Sequence, residues 1–148
     1  MMKITAAAAI MLAAGNAQAD LGESSAAAHK HYGPAVKIVN PLAGYTVEWY
    51  QPSADLWICQ AYSGDRAVIV TYFFSHPRQT VTNERIVALD LLNTPRDAQW
   101  QMAKGGGWRS QDGEFEIFDG DEDADGTISR SYFFVPLAKH LIEAGSFN

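Results

Sequence analysis

Apolar and polar positions along this chain keep a strand period in some stretches and a helix period in others. Residues 24–32 are Ala-rich and bounded by Gly22 and by Gly33-Pro34. Ser24 or Ser25 can cap the start and Gly-Pro ends it, which predicts a short helix. Residues 36–39 read as a short strand that stops at the turn pair Asn40-Pro41. Tyr45-Thr46-Val47-Glu48-Trp49-Tyr50 alternates, favours β structure and stops at Pro52. Two apolar runs, 56–62 and 67–74, flank Ser63-Gly64-Asp65-Arg66, a hairpin signal. Period two within each strand groups Val47, Trp49, Ile58, Val68, Val70 and Tyr72 on one face, with the register between strands left open.

Pro77 closes this meander. Thr82-Asn83-Glu84 then opens a second helix running to Leu92, with Ile86, Leu89 and Leu92 at helical spacing. Thr82 or Asn83 can cap it, Glu84 suits its positive end, and Asn93-Thr94-Pro95 stops it. Trp100 and Trp108 flank Gly105-Gly106-Gly107, read as a flexible connector. Residues 114–118 and 127–135 predict two strands around an acidic turn. Residues 137–144 predict a final helix, with Pro136 near its first turn and Gly145 past its end. No repeat at a solenoid period stands out. The expected architecture is a single α+β domain: an antiparallel β-meander with a short N-terminal helix, a central helix and a second hairpin.

The start of the chain has a different character. Met1-Met2-Lys3 is a short basic start, residues 4–14 carry no charge, and Ala17-Gln18-Ala19 is a small-x-small site. That three-part pattern predicts a secretory signal peptide over residues 1–19, cleaved near Ala19. The apolar run falls well short of the roughly 20 residues a membrane-spanning helix needs. No Cys follows Ala19 to accept a lipid. The expected product is residues 20–148, exported, without a membrane-spanning segment. The Ala-rich leader has a bacterial look, which points to the periplasm or to full secretion.

Composition narrows the function classes. The 148 residues carry 11 Lys+Arg against 17 Asp+Glu, a net charge of −6, and are 47% apolar. That apolar share excludes a disordered acidic tail. The acidic balance argues against a nucleic-acid partner, which would ask for a basic face. One Cys makes neither a disulfide framework nor a Cys-rich zinc site. Cys59 stands beside Trp57 and Ile58, so it is expected to be buried and inert.

The charge is unevenly spread. Asp112, Glu114, Glu116, Asp119, Asp121, Glu122, Asp123 and Asp125 crowd one segment. Inside it, Asp121-Glu122-Asp123-Ala124-Asp125-Gly126-Thr127-Ile128-Ser129 resembles the calcium loop of EF-hand and related Asp-x-Asp-x-Asp-Gly proteins. Calcium takes six to eight hard oxygen ligands, and alternate acids on a tight turn supply carboxylates. The resemblance makes Asp121, Asp123 and Asp125 the candidate ligands, with Asp119 as a spare. Two departures count against a paired sensor: Tyr132 stands where a bidentate Glu belongs, and no second loop exists. A looser calcium loop, a solvated turn and a surface for a basic partner stand as the three readings.

Other chemistry is thin. His29-x-His31 would chelate a metal on a strand but not on a helix, where i and i+2 diverge. Cys59 with His76 or His140 would make a thiol enzyme, but its apolar surroundings raise a thiol pKa. Glu114 and Glu116 read as a solvated pair rather than glycosidase carboxylates. Gly105-Gly106-Gly107 lacks the Lys-Ser/Thr of a phosphate cradle. Tyr45, Trp49, Tyr50, Trp57, Tyr62, Trp100 and Trp108 are candidate interface anchors or ordinary core residues.

A short helix ending in Tyr32-Gly33-Pro34, followed by a β-meander over residues 22–74, resembles small exported domains of the β-lactamase-inhibitor type. It is also similar to the outer-membrane assembly lipoprotein domain. This chain departs from that pattern in lacking the lipid-bearing Cys and in its second half. The resemblance implies a non-catalytic domain that works through contacts with another envelope or secreted protein, and it carries over no individual functional residue. The sequence therefore favours an exported binding or envelope-associated protein. A calcium-stabilised domain is the alternative, and a small periplasmic hydrolase the third reading.

Overall fold

In the computed structural model, which describes residues 21–75 and 81–144, helix α1 (Ser25–Tyr32) starts at its serine cap. The Ser24 side chain accepts the Ala27 N–H at 3.1 Å, and Gly33 takes φ 82° to end the helix. Four antiparallel strands follow: β1 (Lys37–Val39), β2 (Tyr45–Ser53), β3 (Leu56–Ser63) and β4 (Arg66–Phe74). Helix α2 (Asn83–Asn93) opens the same way, its Thr82 side chain accepting the Arg85 N–H at 3.2 Å. A second set follows: β5 (Trp100–Met102), β6 (Trp108–Ser110), β7 (Phe115–Asp119) and β8 (Ile128–Phe134). Helix α3 (Val135–Glu143) leaves β8 directly, with Pro136 in its first turn.

The strands make one eight-stranded antiparallel sheet in the order β1-β2-β3-β4-β8-β7-β6-β5. Its two faces pack against different helices. Tyr50, Ile58, Tyr62, Val70, Tyr72, Phe74, Ile117 and Tyr132 form one core, closed by Ala28 of α1 and Leu89 of α2. Val47, Cys59, Ala61, Val68 and Ile69 form the other, closed by Ala138 and Leu141 of α3. The α+β, single-domain expectation holds, and the N-terminal helix, central helix and acidic hairpin stand where the sequence puts them.

Two points differ from the sequence reading. The six residues grouped on one face divide between two: Val47, Trp49 and Val68 lie with the α3 core, while Ile58, Val70 and Tyr72 lie with the α1–α2 core. A bulge is part of the reason. Ala61 pairs with Ile69 but Tyr62 pairs with Ala67, so Val68 is an extra residue and parity flips along β4. Gly105-Gly106-Gly107 is the turn of a hairpin, with Trp100 and Trp108 beginning its two short strands. A Cβ on Gly107, at φ 77°, would fall 2.3 Å from the Ile117 carbonyl oxygen, so only glycine lets that turn cross β7. The expected leader and its expected cleavage site, His76, Pro77 and Gly145 lie outside the described residues.

The two halves repeat one plan, a capped helix followed by four antiparallel strands. The β3–β4 pairs Leu56↔Phe74, Trp57↔Phe73, Ile58↔Tyr72, Cys59↔Thr71 and Gln60↔Val70 recur as Phe115↔Phe134, Glu116↔Phe133, Ile117↔Tyr132, Phe118↔Ser131 and Asp119↔Arg130. Thr71-Tyr72-Phe73-Phe74 and Ser131-Tyr132-Phe133-Phe134 are the sequence trace of this repeat. The halves join by β4 pairing with β8, with Thr71 opposite Ser131 near the midpoint of that seam.

Candidate functional site

Two regions gather polar or aromatic side chains beyond what packing asks for. The first is a chain of hydrogen bonds beneath α1. Ala28 is the one residue that α1 buries fully, so its polar side chains do most of the anchoring. Glu48 points from β2 into the α1 face and is 5% exposed. An ionised carboxylate at such depth costs several kcal/mol unless it is well met by donors. Ser25 Oγ lies 3.0 Å from both its oxygens, the Tyr50 hydroxyl donates to Oε2, and His29 Nε2 lies 3.2 Å from Oε2. Glu23 is met by His31 Nδ1 at 2.7 Å and by Gln60 Nε2 at 3.1 Å, and Gln60 accepts from the Tyr62 hydroxyl. Burial first, then the bond to Glu48, pushes the Tyr50 phenol far up; burial likewise raises that of Tyr62. Both phenols stay protonated donors.

His29 and His31 therefore face different carboxylates, as their helical spacing requires, and do not converge on a metal. Among the described residues no group of three or more His, Cys, Asp or Glu side chains stands ready to hold one. The sequence reading missed this network. Its one local signal is Glu48 in an otherwise apolar alternating strand; its partners in α1 are remote in sequence.

Four of the eight acids in the acidic segment, Asp112, Glu116, Asp119 and Asp125, are met by nearby donors. Arg130 Nη1 lies 2.8 Å from both Asp119 oxygens, and its Nη2 reaches Asp90 of α2 at 2.9 Å. Tyr132 donates to Asp90 at 2.6 Å. Burial alone would lower the Arg130 guanidinium, but the Tyr132 oxygen and the two carboxylates outweigh it and hold the group firmly charged. The spare calcium ligand of the sequence reading, Asp119, is thus engaged by an arginine. Asp121, Asp123 and Asp125 lie on the β7–β8 turn. There the Asp123 N–H donates to the Thr127 carbonyl at 2.9 Å, the Thr127 N–H donates to Asp125 Oδ1 at 3.0 Å, and Gly126 takes φ 82°. Glu116 is bound by Arg109, whose Nε lies at 2.6 Å. Asp112 accepts from Ser110 Oγ at 2.5 Å and from the Glu114 N–H, which hold its carboxyl below the usual range.

The second region is the sheet face that carries α3. The pairing sets Trp49, Cys59, Thr71, Ser131 and Phe118 in one row across it, with Trp57, Phe73 and Ser129 in the next. Trp49 and Phe73 stack at 5.4 Å, and further along the row Thr71 Oγ1 and Ser131 Oγ lie 2.9 Å apart. α3 packs over Val47, Ala61 and Ile69 but leaves Phe118 43% exposed and Trp49, Trp57 and Phe73 half-buried. Tyr50 and Tyr62, by contrast, are core residues. Cys59 is 2% exposed and burial pushes its thiol up to about 12, so it is no nucleophile at neutral pH. His140 lies exposed on α3 beside Glu143.

No family model and no curated protein matches this chain. Among solved structures, a cysteine-rich secretory protein from Staphylococcus aureus subsp. aureus Mu50 is similar at 9% identity and a TM-score of 0.44. The match covers 80% of this chain and 44% of that one, so this chain spans less than half the length of its structural neighbour.

Proposed function

We propose that this chain is an exported, non-catalytic binding domain, and that its partner, another envelope or secreted protein, lies on the α3 side of the sheet. The supporting observation is the strip of half-covered rings, Trp49, Trp57, Phe73 and Phe118, on a regular sheet surface. Large aromatic side chains on a rigid support give interface area at low entropic cost, and such residues dominate measured binding energies. The buried, un-ionised Cys59 weighs against the hydrolase reading.

The test is a photo-crosslinker placed at Phe118 in cells that export the protein, with Glu84 on the far side of the sheet as control position. Adduct formation at 118 alone, lost when Trp57→Ala is added while the melting temperature stays near that of the parent, supports the assignment. Equal adducts at both positions, or an adduct indifferent to Trp57→Ala, would overturn it.

A further inference from the structure

We propose that the edge of β4 that faces β8 is a recognition surface for a second unit of one capped helix and four strands, and that the chain holds as a linked pair what two separate units would form by association. The seam is built as a self-complementary contact. β4 and β8 run antiparallel in the register Ile69↔Phe133, Val70↔Tyr132, Thr71↔Ser131, Tyr72↔Arg130, Phe73↔Ser129. Matching the halves through Thr71-Tyr72-Phe73-Phe74 and Ser131-Tyr132-Phe133-Phe134 puts each of these strands opposite its own counterpart. An approximate two-fold axis passes between Thr71 and Ser131, as in an isologous dimer interface.

Replacing the second unit by a copy of the first keeps the strand pairing of the seam, while α3, which covers Ile69 and Val68, belongs to the second unit alone. Thr71 would meet Thr71 of the copy, and two threonine hydroxyls can make the bond that Thr71 and Ser131 now make at 2.9 Å. Val70 would meet Tyr72 of the copy, as it now meets Tyr132, and Ile69 would meet Phe73 as it now meets Phe133. No charge is brought into the first unit's self-pair, since Arg130 belongs to the second unit. Both helices lie on the same face of the sheet, as a two-fold axis perpendicular to it requires. The similar pairing of β3 with β4 and of β7 with β8, together with the two hydroxyl caps, carries the relation beyond the seam.

The experiment starts from the whole protein. A protease site is inserted between Ser75 and Val81, the folded chain is cut, and native mass spectrometry reads the mass. The pieces are then unfolded together in urea and refolded as a mixture. Retention of both pieces after cutting, and pairs of the N-terminal piece with itself at roughly a tenth or more of the mixed pairs, are expected; that ratio reflects a preference of tenfold or less. Thr71→Asp, which would set two carboxylates opposite each other at the centre of a self-pair but only one opposite Ser131 in a mixed pair, should abolish pairs of the N-terminal piece with itself while mixed pairs persist. Pieces that part on cutting, or a mixture that re-forms only mixed pairs or no pairs, would overturn the proposal.

Discussion

Single buried polar atoms carry much of the specificity. Glu48 accepts hydrogen bonds from Ser25 and Tyr50, with His29 Nε2 a further 3.2 Å neighbour. Glu48→Ala would leave those donors facing a cavity, and we expect a loss of about 2–4 kcal/mol in urea melts. Adding Tyr50→Phe should cost less in the Glu48→Ala background than in the parent, because the phenol has already lost its acceptor. Cys59 gives a cleaner readout. Its folded pKa is raised, to about 12, so the thiol favours the native state below its unfolded value. That contribution declines as pH rises from about 9 through the folded value. A disulfide reagent at pH 8 should leave the native thiol untouched and titrate it fully in urea. These residues are unevenly legible. The burial of Cys59 follows from its apolar neighbours, whereas the Glu48 partners follow only from how α1 docks.

Among the elements, caps and turns were the easiest to read. Ser24 and Thr82 cap their helices because hydroxyls before an apolar periodic run have few other uses. The β5–β6 hairpin was hidden: three-residue strands on either side of three glycines show no period. The Val68 bulge was hidden too, since a β-branched run reads the same with or without one extra residue. Gly107→Ala tests the hairpin. Positive φ and a Cβ 2.3 Å from the Ile117 oxygen should together cost about 2–3 kcal/mol, read as a lower melting temperature. Gly44→Ala, with open space around its Cβ, should cost about 1 kcal/mol. The acidic turn is tested with calcium. Asp119 is committed to Arg130 and Asp125 to its own turn, so we expect superimposable melting curves in millimolar calcium and in chelator. A rise in calcium that Asp123→Ala removes would instead make the loop a cation site.

At the scale of the molecule, one sheet runs through both halves, and the seam residues Val70, Thr71 and Tyr132 are buried. Neither half closes its core without the other's strand. Fluorescence of the four tryptophans and far-ultraviolet circular dichroism should therefore report one coincident urea transition. Two separated transitions would mean that the halves fold independently. The antiparallel α+β class was readable from the order of periods along the chain. The joining of β4 to β8 was not, because a pairing across some sixty residues leaves no local signal beyond Thr-Tyr-Phe-Phe and Ser-Tyr-Phe-Phe.

The repeated register also makes the protein its own control. At one matched position the first half sets Gln60 opposite Val70; the second sets Asp119 opposite Arg130. The backbone frame is shared, so this chain already contains a neutral and an ionic solution to the same cross-strand problem. The ionic one is tied to a helix through Asp90. Exchanging the two pairs would measure the worth of a charge at that place without any foreign scaffold.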